Sequence, residues 1–86
     1  MSHTTIKYIV YEGELADTCV MFPKWVSHHD MSLGRGRVLG AGFVDIQATP
    51  EGVVFHAYGE SVSLGIKSRE VDGLLLNRQF GGVVGT

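Results

Sequence analysis

The run Val53-Val54-Phe55-His56-Ala57-Tyr58 constrains the fold most. It alternates as a strand does, with Val53, Phe55 and Ala57 opposed to Val54, His56 and Tyr58, yet neither set is plainly polar. A strand of this kind is expected to be covered on both faces, one by a helix and the other by a neighbouring chain. Ala48-Thr49-Pro50-Glu51-Gly52 places proline and glycine just before it as a tight turn does, which makes this the clearest hairpin in the chain. The other arm is Arg37 to Gln47, where Val38, Leu39, Phe43, Val44 and Ile46 alternate with Gly40 and Gly42. Glycines inside a strand predict a bend, a bulge or a close backbone contact there.

Two further strands are expected towards the N-terminus. Ile6 to Tyr11 is β-branched and aromatic, and Thr18 to Phe22 is short and apolar until Pro23, which cannot donate to a ladder. The acid-rich stretch Glu12 to Asp17 between them reads as an exposed turn. Around and after Pro23, residues 22, 25, 26 and 29 follow a helical spacing and predict a one- or two-turn helix. It must end before the flexible Gly34-Arg35-Gly36-Arg37 loop. Gly59 to Ile66 permits one more short strand. Ser68 then reads as the N-cap of the best-marked helix, with Glu70 and Asp72 in its first turn, Arg78 near its end and Gly81-Gly82 as its stop. Val71, Leu74 and Leu75 are expected to lie on the sheet. Val83 to Thr86 is expected to be frayed or a short added strand.

At 86 residues the chain suits one small domain spanning residues 1–86, because two cores would each be too small to hold. Seven basic residues against nine acidic ones give a net charge of −2. That balance argues against non-specific nucleic-acid binding, which feeds on phosphate neutralisation, although a local basic patch could still carry it. Cys19 is the single cysteine, so no intrachain disulfide forms and a reducing, cytoplasmic setting is expected. The N-terminus lacks the pattern of a secretory signal, and no apolar run approaches the roughly 20 residues that cross a bilayer.

Catalytic chemistry finds little support. Cys19 sits in an apolar run, the setting of an inert thiol, and Gly59-Glu60-Ser61-Val62-Ser63 lacks the final glycine of a nucleophile elbow. His28, His29, Asp30 and His56 are the only gathering of metal-ligand types. Adjacent histidines point apart on a helix or strand, and no His-Glu-x-x-His or paired-cysteine pattern supports a site. The chain is therefore expected to be no enzyme, with neither metal nor cofactor. Trp25 with His28, His29, Arg35 and Arg37 forms the leading candidate for a protein contact surface, since tryptophan and arginine dominate interface hot spots. The alternative is a small anionic ligand or nucleic acid held by Arg35, Arg37, Lys67 and Arg69 at an oligomer interface.

The segments Val38-Leu39-Gly40-Ala41-Gly42-Phe43 and Gly59 to Arg69, with Asp72 following, resemble small proteins of bacteria, their phages and other mobile elements that carry no known activity. The resemblance implies a small accessory or regulatory protein. Taken together, these readings predict an α+β domain: an antiparallel sheet of about four strands, one C-terminal helix packed on a face and a short helix after Pro23. One main helix leaves the second face bare, so a homodimer is expected to cover it.

Overall fold

Strand-forming runs separated by proline and glycine pair here into one four-stranded antiparallel sheet, in a computed structural model that describes residues 5–81. The strands β1 (Ile6–Glu12), β2 (Asp17–Pro23), β3 (Val38–Thr49) and β4 (Gly52–Tyr58) lie in the order β2-β1-β3-β4. Helix α1 (His28–Ser32) joins β2 to β3, and helix α2 (Glu70–Phe80) ends the described chain. The expected α+β architecture is therefore what the chain adopts. The tail at Val83 to Thr86 lies outside the described residues. Within 59–66 the single expected strand is instead a hairpin of two short strands, β5 (Glu60–Ser61) and β6 (Ile66–Lys67). Gly65 turns it, at φ +67 and with its N–H donating to the Ser61 carbonyl at 2.8 Å.

One face of the sheet is covered by α2, and the other is covered over β1, β2 and the start of β3 but left open along β4, where His56 and Tyr58 are exposed. On one, Tyr8, Val10, Cys19, Val44 and Phe55 enclose Leu76 of α2. On the other, Ile9, Phe22 and Ala41 are packed by Val26, Met31, Leu64 and Ile66, which come from α1, the turn before it and the β5–β6 hairpin. This corrects part of the expectation of a bare second face: α1 and the hairpin supply a layer over Ile9, Phe22 and Ala41, while the β4 side of that face carries no layer among the described residues.

The glycines of β3 mark both a bulge and close contacts. Val10 pairs with Gly40 but Tyr11 pairs with Val38, so Leu39 is the extra residue. A Cβ on Gly40 would collide with the Asp72 carboxylate, and one on Gly42 with the Tyr58 carbonyl. Gly40 thus lets a fully buried carboxylate lie flat on the sheet. Asp72 Oδ2 accepts from the Tyr8 hydroxyl at 2.6 Å and from the Arg69 backbone N–H at 3.0 Å. Arg69 Nε donates to Oδ1 at 2.9 Å, and its Nη2 stands 2.7 Å from the same oxygen, close enough for an ion pair though not aligned as a hydrogen bond. Burial together with the bond to Asp72 pushes the Tyr8 phenol far above its ordinary pKa, so it acts as a fixed donor.

This network sets the roll of α2 and corrects two details of the helix. Its N-cap is Arg69 rather than Ser68, because Asp72 at the third helical position accepts the Arg69 N–H. Its inward residues are Asp72 and Leu76, while Val71 is 42% and Leu74 69% exposed.

Asn77 and Gln79 stand two residues apart, about 200° around a helix, and so reach opposite ways. Asn77 accepts from the Phe55 N–H and donates to the Phe55 carbonyl, both at 2.8 Å. Gln79 does the same to Cys19, at 2.9 and 3.0 Å. One helix thereby bonds the outer backbone of both edge strands, β4 and β2, and the sheet must curve around it.

Gly40 and Asp72 should be energetically coupled. Asp72→Ala is expected to cost about 3 kcal/mol, near the lower end for a broken buried pair because Arg69 keeps some access to water. Gly40→Ala should cost about 1–3 kcal/mol in the natural chain but well under 1 kcal/mol in the Asp72→Ala background, where the collision is gone. Urea unfolding of the four proteins of this cycle measures it, and additive costs would show that Gly40 does not serve Asp72.

Candidate protein-docking surface

Pro23 ends β2, and its carbonyl accepts the Val26 N–H at 3.1 Å to close a tight turn. Val26 turns inward to the Ile9 and Phe22 cluster, where Lys7 Nζ donates to its carbonyl at 3.0 Å. Lys24 and Trp25 at the tip of the turn are thrown outward, leaving Trp25 80% exposed. Ser27 then caps α1, its hydroxyl accepting from the Asp30 N–H at 3.0 Å. The expected helix is therefore present but begins at His28, and Trp25 belongs to the turn before it.

Beside Trp25 lies a cavity of about 540 Å³ walled by Ile6, Met21, Phe22, Pro23 and Lys24, with Thr5 at its rim. Lys24 is the one charged residue on that wall. The backbone of β2 borders the cavity in a defined phase. Because the Cys19 N–H and carbonyl bond Gln79, they point away from β1, so Thr18, Val20 and Phe22 face β1 while Met21 faces outward like Cys19. The Asn77 clamp on Phe55 and the bond from the Glu12 N–H to the Arg37 carbonyl agree with this phase when it is carried across the sheet.

The other expected site residues are scattered. His28 is not a surface group: it is buried, edge-on to Phe22 and Phe43, with Nε2 2.8 Å from the Gly42 carbonyl. A carbonyl can only accept, so Nε2 carries the proton and the ring is a neutral pin between α1 and β3. This removes it from the contact surface, since its apolar surroundings and its one strong bond are internal. His29 is exposed, 3.8 Å from Asp30. Arg35 lies over the Tyr11 ring at 5.2 Å and donates to the Met31 carbonyl at 2.8 Å, and Arg37 pairs with Glu12 at 2.8 Å.

Lys67 stands on β6 opposite Glu60, and Arg69 is committed to Asp72. Arg35 and Arg69 line different cavities, so the four expected ligand-binding cations do not converge on one. No three His, Cys, Asp or Glu side chains gather as metal ligands among the described residues. Burial, and next the nearby Asp72, push the Cys19 thiol up to about 11, which holds it in the unreactive protonated form at neutral pH.

The sequence singles out Trp25 with Lys24 in a local basic segment but does not show Met21 and Ile6 as its neighbours. The available signal was Pro23 itself: a strand that ends in proline and is followed by Lys-Trp places a cation and an indole at a sheet corner. Asp72 was read only as a capping acid. Its burial depends on Tyr8 and Gly40, distant in sequence, and no local pattern marks it.

Burial lowers the His28 pKa, opposed by its bond to the Gly42 carbonyl and assisted by the Lys7 charge. A folded value below that of the unfolded chain makes this contribution to stability complete above about pH 6.5 and lost as the pH falls towards the folded value. The urea midpoint should therefore drop between pH 7.5 and pH 5, and His28→Gln, which keeps a donor for Gly42, should show a smaller drop. An unchanged pH slope in that variant would place the acid sensitivity elsewhere. No family model, curated protein or solved structure matches this chain.

Proposed function

We propose that the protein is a non-catalytic accessory module that binds another polypeptide through Trp25, Lys24 and the cavity at the end of β2. The observation that carries this reading is the 80% exposure of Trp25 against an apolar cavity, in a chain whose Tyr8, Phe22 and Phe55 are buried. An indole held in solvent by a tight turn is a poor use of its apolar area unless a partner covers it, and tryptophan is among the commonest anchors of protein interfaces. Arg35 and His29, on the following helix and loop, stay exposed and extend the same strand-to-loop segment. A second copy of the chain is one partner this face could take, and the expected homodimer then rests on Trp25 rather than on the sheet.

The anionic-ligand alternative has less behind it. Arg35, Arg37 and Arg69 already hold an aromatic ring or a carboxylate, and a ligand would have to displace those contacts.

Trp25→Ala separates binding from folding. Its unfolding free energy should stay within about 0.5 kcal/mol of the natural chain, as for an exposed position. Affinity for a partner isolated with the natural protein should fall by at least about 30-fold, the loss typical of a hot spot of 2 kcal/mol. If the partner is a second copy, the same variant should shift the sedimenting species from dimer to monomer. A variant that folds and keeps every partner at full affinity would remove this reading.

A further inference from the structure

We propose that the occupant of this face is an extended segment of another protein, which pairs with Met21 at the edge of β2, places an apolar side chain in the cavity beside Trp25 and sets a carboxylate against Lys24. This deepens the docking reading and rests on it. Three observations point to an extended backbone rather than a helix.

The first is that each edge strand is sealed at one residue, which leaves the outward neighbours Val53, Ala57 and Met21 open, and of these Met21 borders the cavity beside Trp25. On β4 the outward backbone at Phe55 is bonded by Asn77, and on β2 that at Cys19 is bonded by Gln79, each amide supplying one donor and one acceptor as a neighbouring strand would. Met21, two residues on from Cys19, turns its N–H and carbonyl the same way, and no side chain among the described residues bonds either. A helical partner has its own backbone groups satisfied internally and cannot use this pair. An extended residue exchanges two hydrogen bonds with it.

The second observation is that the open stretch is one residue long. On one side Gln79 covers Cys19. On the other, Pro23 has no N–H and its carbonyl is taken by Val26. Strand pairing is therefore confined to Met21 and cannot spread along β2, which admits a short segment while guarding against indefinite sheet growth.

The third is what surrounds Met21. A strand advances about 3.4 Å per residue, so side chains one or two positions from the paired residue reach the cavity walled by Ile6, Phe22 and Trp25. Lys24 is the single charge on that wall, while Asp17, the acid of β2, stands at the far end of the strand. The complementary segment thus carries an acid close to its apolar anchor. An exposed ion pair of this sort contributes little energy but fixes direction and makes binding salt-sensitive.

The test is selection of a random dodecapeptide library displayed on phage against the full chain, with Trp25→Ala as counter-selection, followed by titration of the most enriched synthetic peptide into isotopically labelled protein. The expected result is a motif pairing a large apolar residue with a nearby acid, a large shift of the Met21 amide signal and a loss of at least tenfold on N-methylating one peptide backbone nitrogen. Lys24→Glu should weaken that peptide and favour its lysine-for-acid counterpart. Gln79→Ala, which uncovers Cys19, should tighten binding several-fold.

Trp25-dependent peptides that tolerate N-methylation at every position, or that leave the Met21 amide unmoved, would overturn the strand inference and leave the docking reading standing. A library with no Trp25-dependent binder also overturns it, and the docking reading then stands or falls on the isolated partner. Trp25-dependent dimerisation of the chain alone would replace the foreign segment by a second copy.

Discussion

A carboxylate at zero exposure sits where the chain can least accommodate a charge without help, and the rest of the structure is arranged around it. Asp72 is held by the Tyr8 hydroxyl from the sheet, by the Arg69 guanidinium and by the Arg69 backbone N–H. Each contact fixes a different coordinate of α2: Tyr8 its height over the sheet, Arg69 its first turn, and Gly40 beneath it the closeness of approach. An apolar stripe alone would let a short helix slide or roll, since hydrophobic contact is not directional. With Asp72 pinned, the roll is set, and Leu76 one turn later enters the core between Tyr8, Val44 and Phe55. The same roll delivers Asn77 to one edge strand and Gln79 to the other. The buried charge is thus better understood as a register device than as a source of net stability, since its desolvation offsets much of the attraction.

The opposite face solves a different problem with different means. There the cover is made of pieces too short to be stable alone, a five-residue helix and a hairpin of two two-residue strands. They are held by burial of Val26, Met31, Leu64 and Ile66 and by His28, whose neutral ring bonds the strand at Gly42. Burial disfavours the protonated ring of His28, so the α1 face is expected to loosen as the pH falls. That sensitivity bears on the proposed docking, because Trp25 and the cavity beside it border the segment leading into α1.

Much of this was legible in the residues. Strand positions follow from Ile6 to Tyr11, Thr18 to Phe22 and Val53 to Tyr58, where β-branched and aromatic residues leave little alternative, and the start and stop signals frame α2 to within two residues. The glycines at 40 and 42 announced a bulge or a close contact, and the strand has both. The covering of the second face was not legible. It depends on Leu64 and Ile66 folding back through Gly65, and a local pattern of serines and glycines does not carry that long-range fact. The inward face of α2 was misjudged for a related reason: hydropathy ranks Val71 and Leu74 above Asp72, and only the partners Tyr8 and Gly40, distant in sequence, reverse the order. Likewise His28 read as a surface histidine because nothing local shows Phe22 and Phe43 closing around it.

The edge clamps tie these threads to the docking face. A small sheet with two open edges is liable to indiscriminate pairing, and chains commonly answer with charges or proline on the edge. This one uses both side-chain amides and proline. Asn77 closes the middle of β4, Gln79 closes β2 at Cys19 and Pro23 ends it, so the edge is blocked on either side of Met21. If the only requirement were to stay apart from other chains, an apolar cavity and an exposed indole beside that gap would be a defect. Together with the gap they form the recess proposed to take the backbone of one extended residue and the side chain of its neighbour. The helix that closes the edges at Phe55 and Cys19 therefore also bounds the open residue beside Trp25, and its position traces back to Asp72.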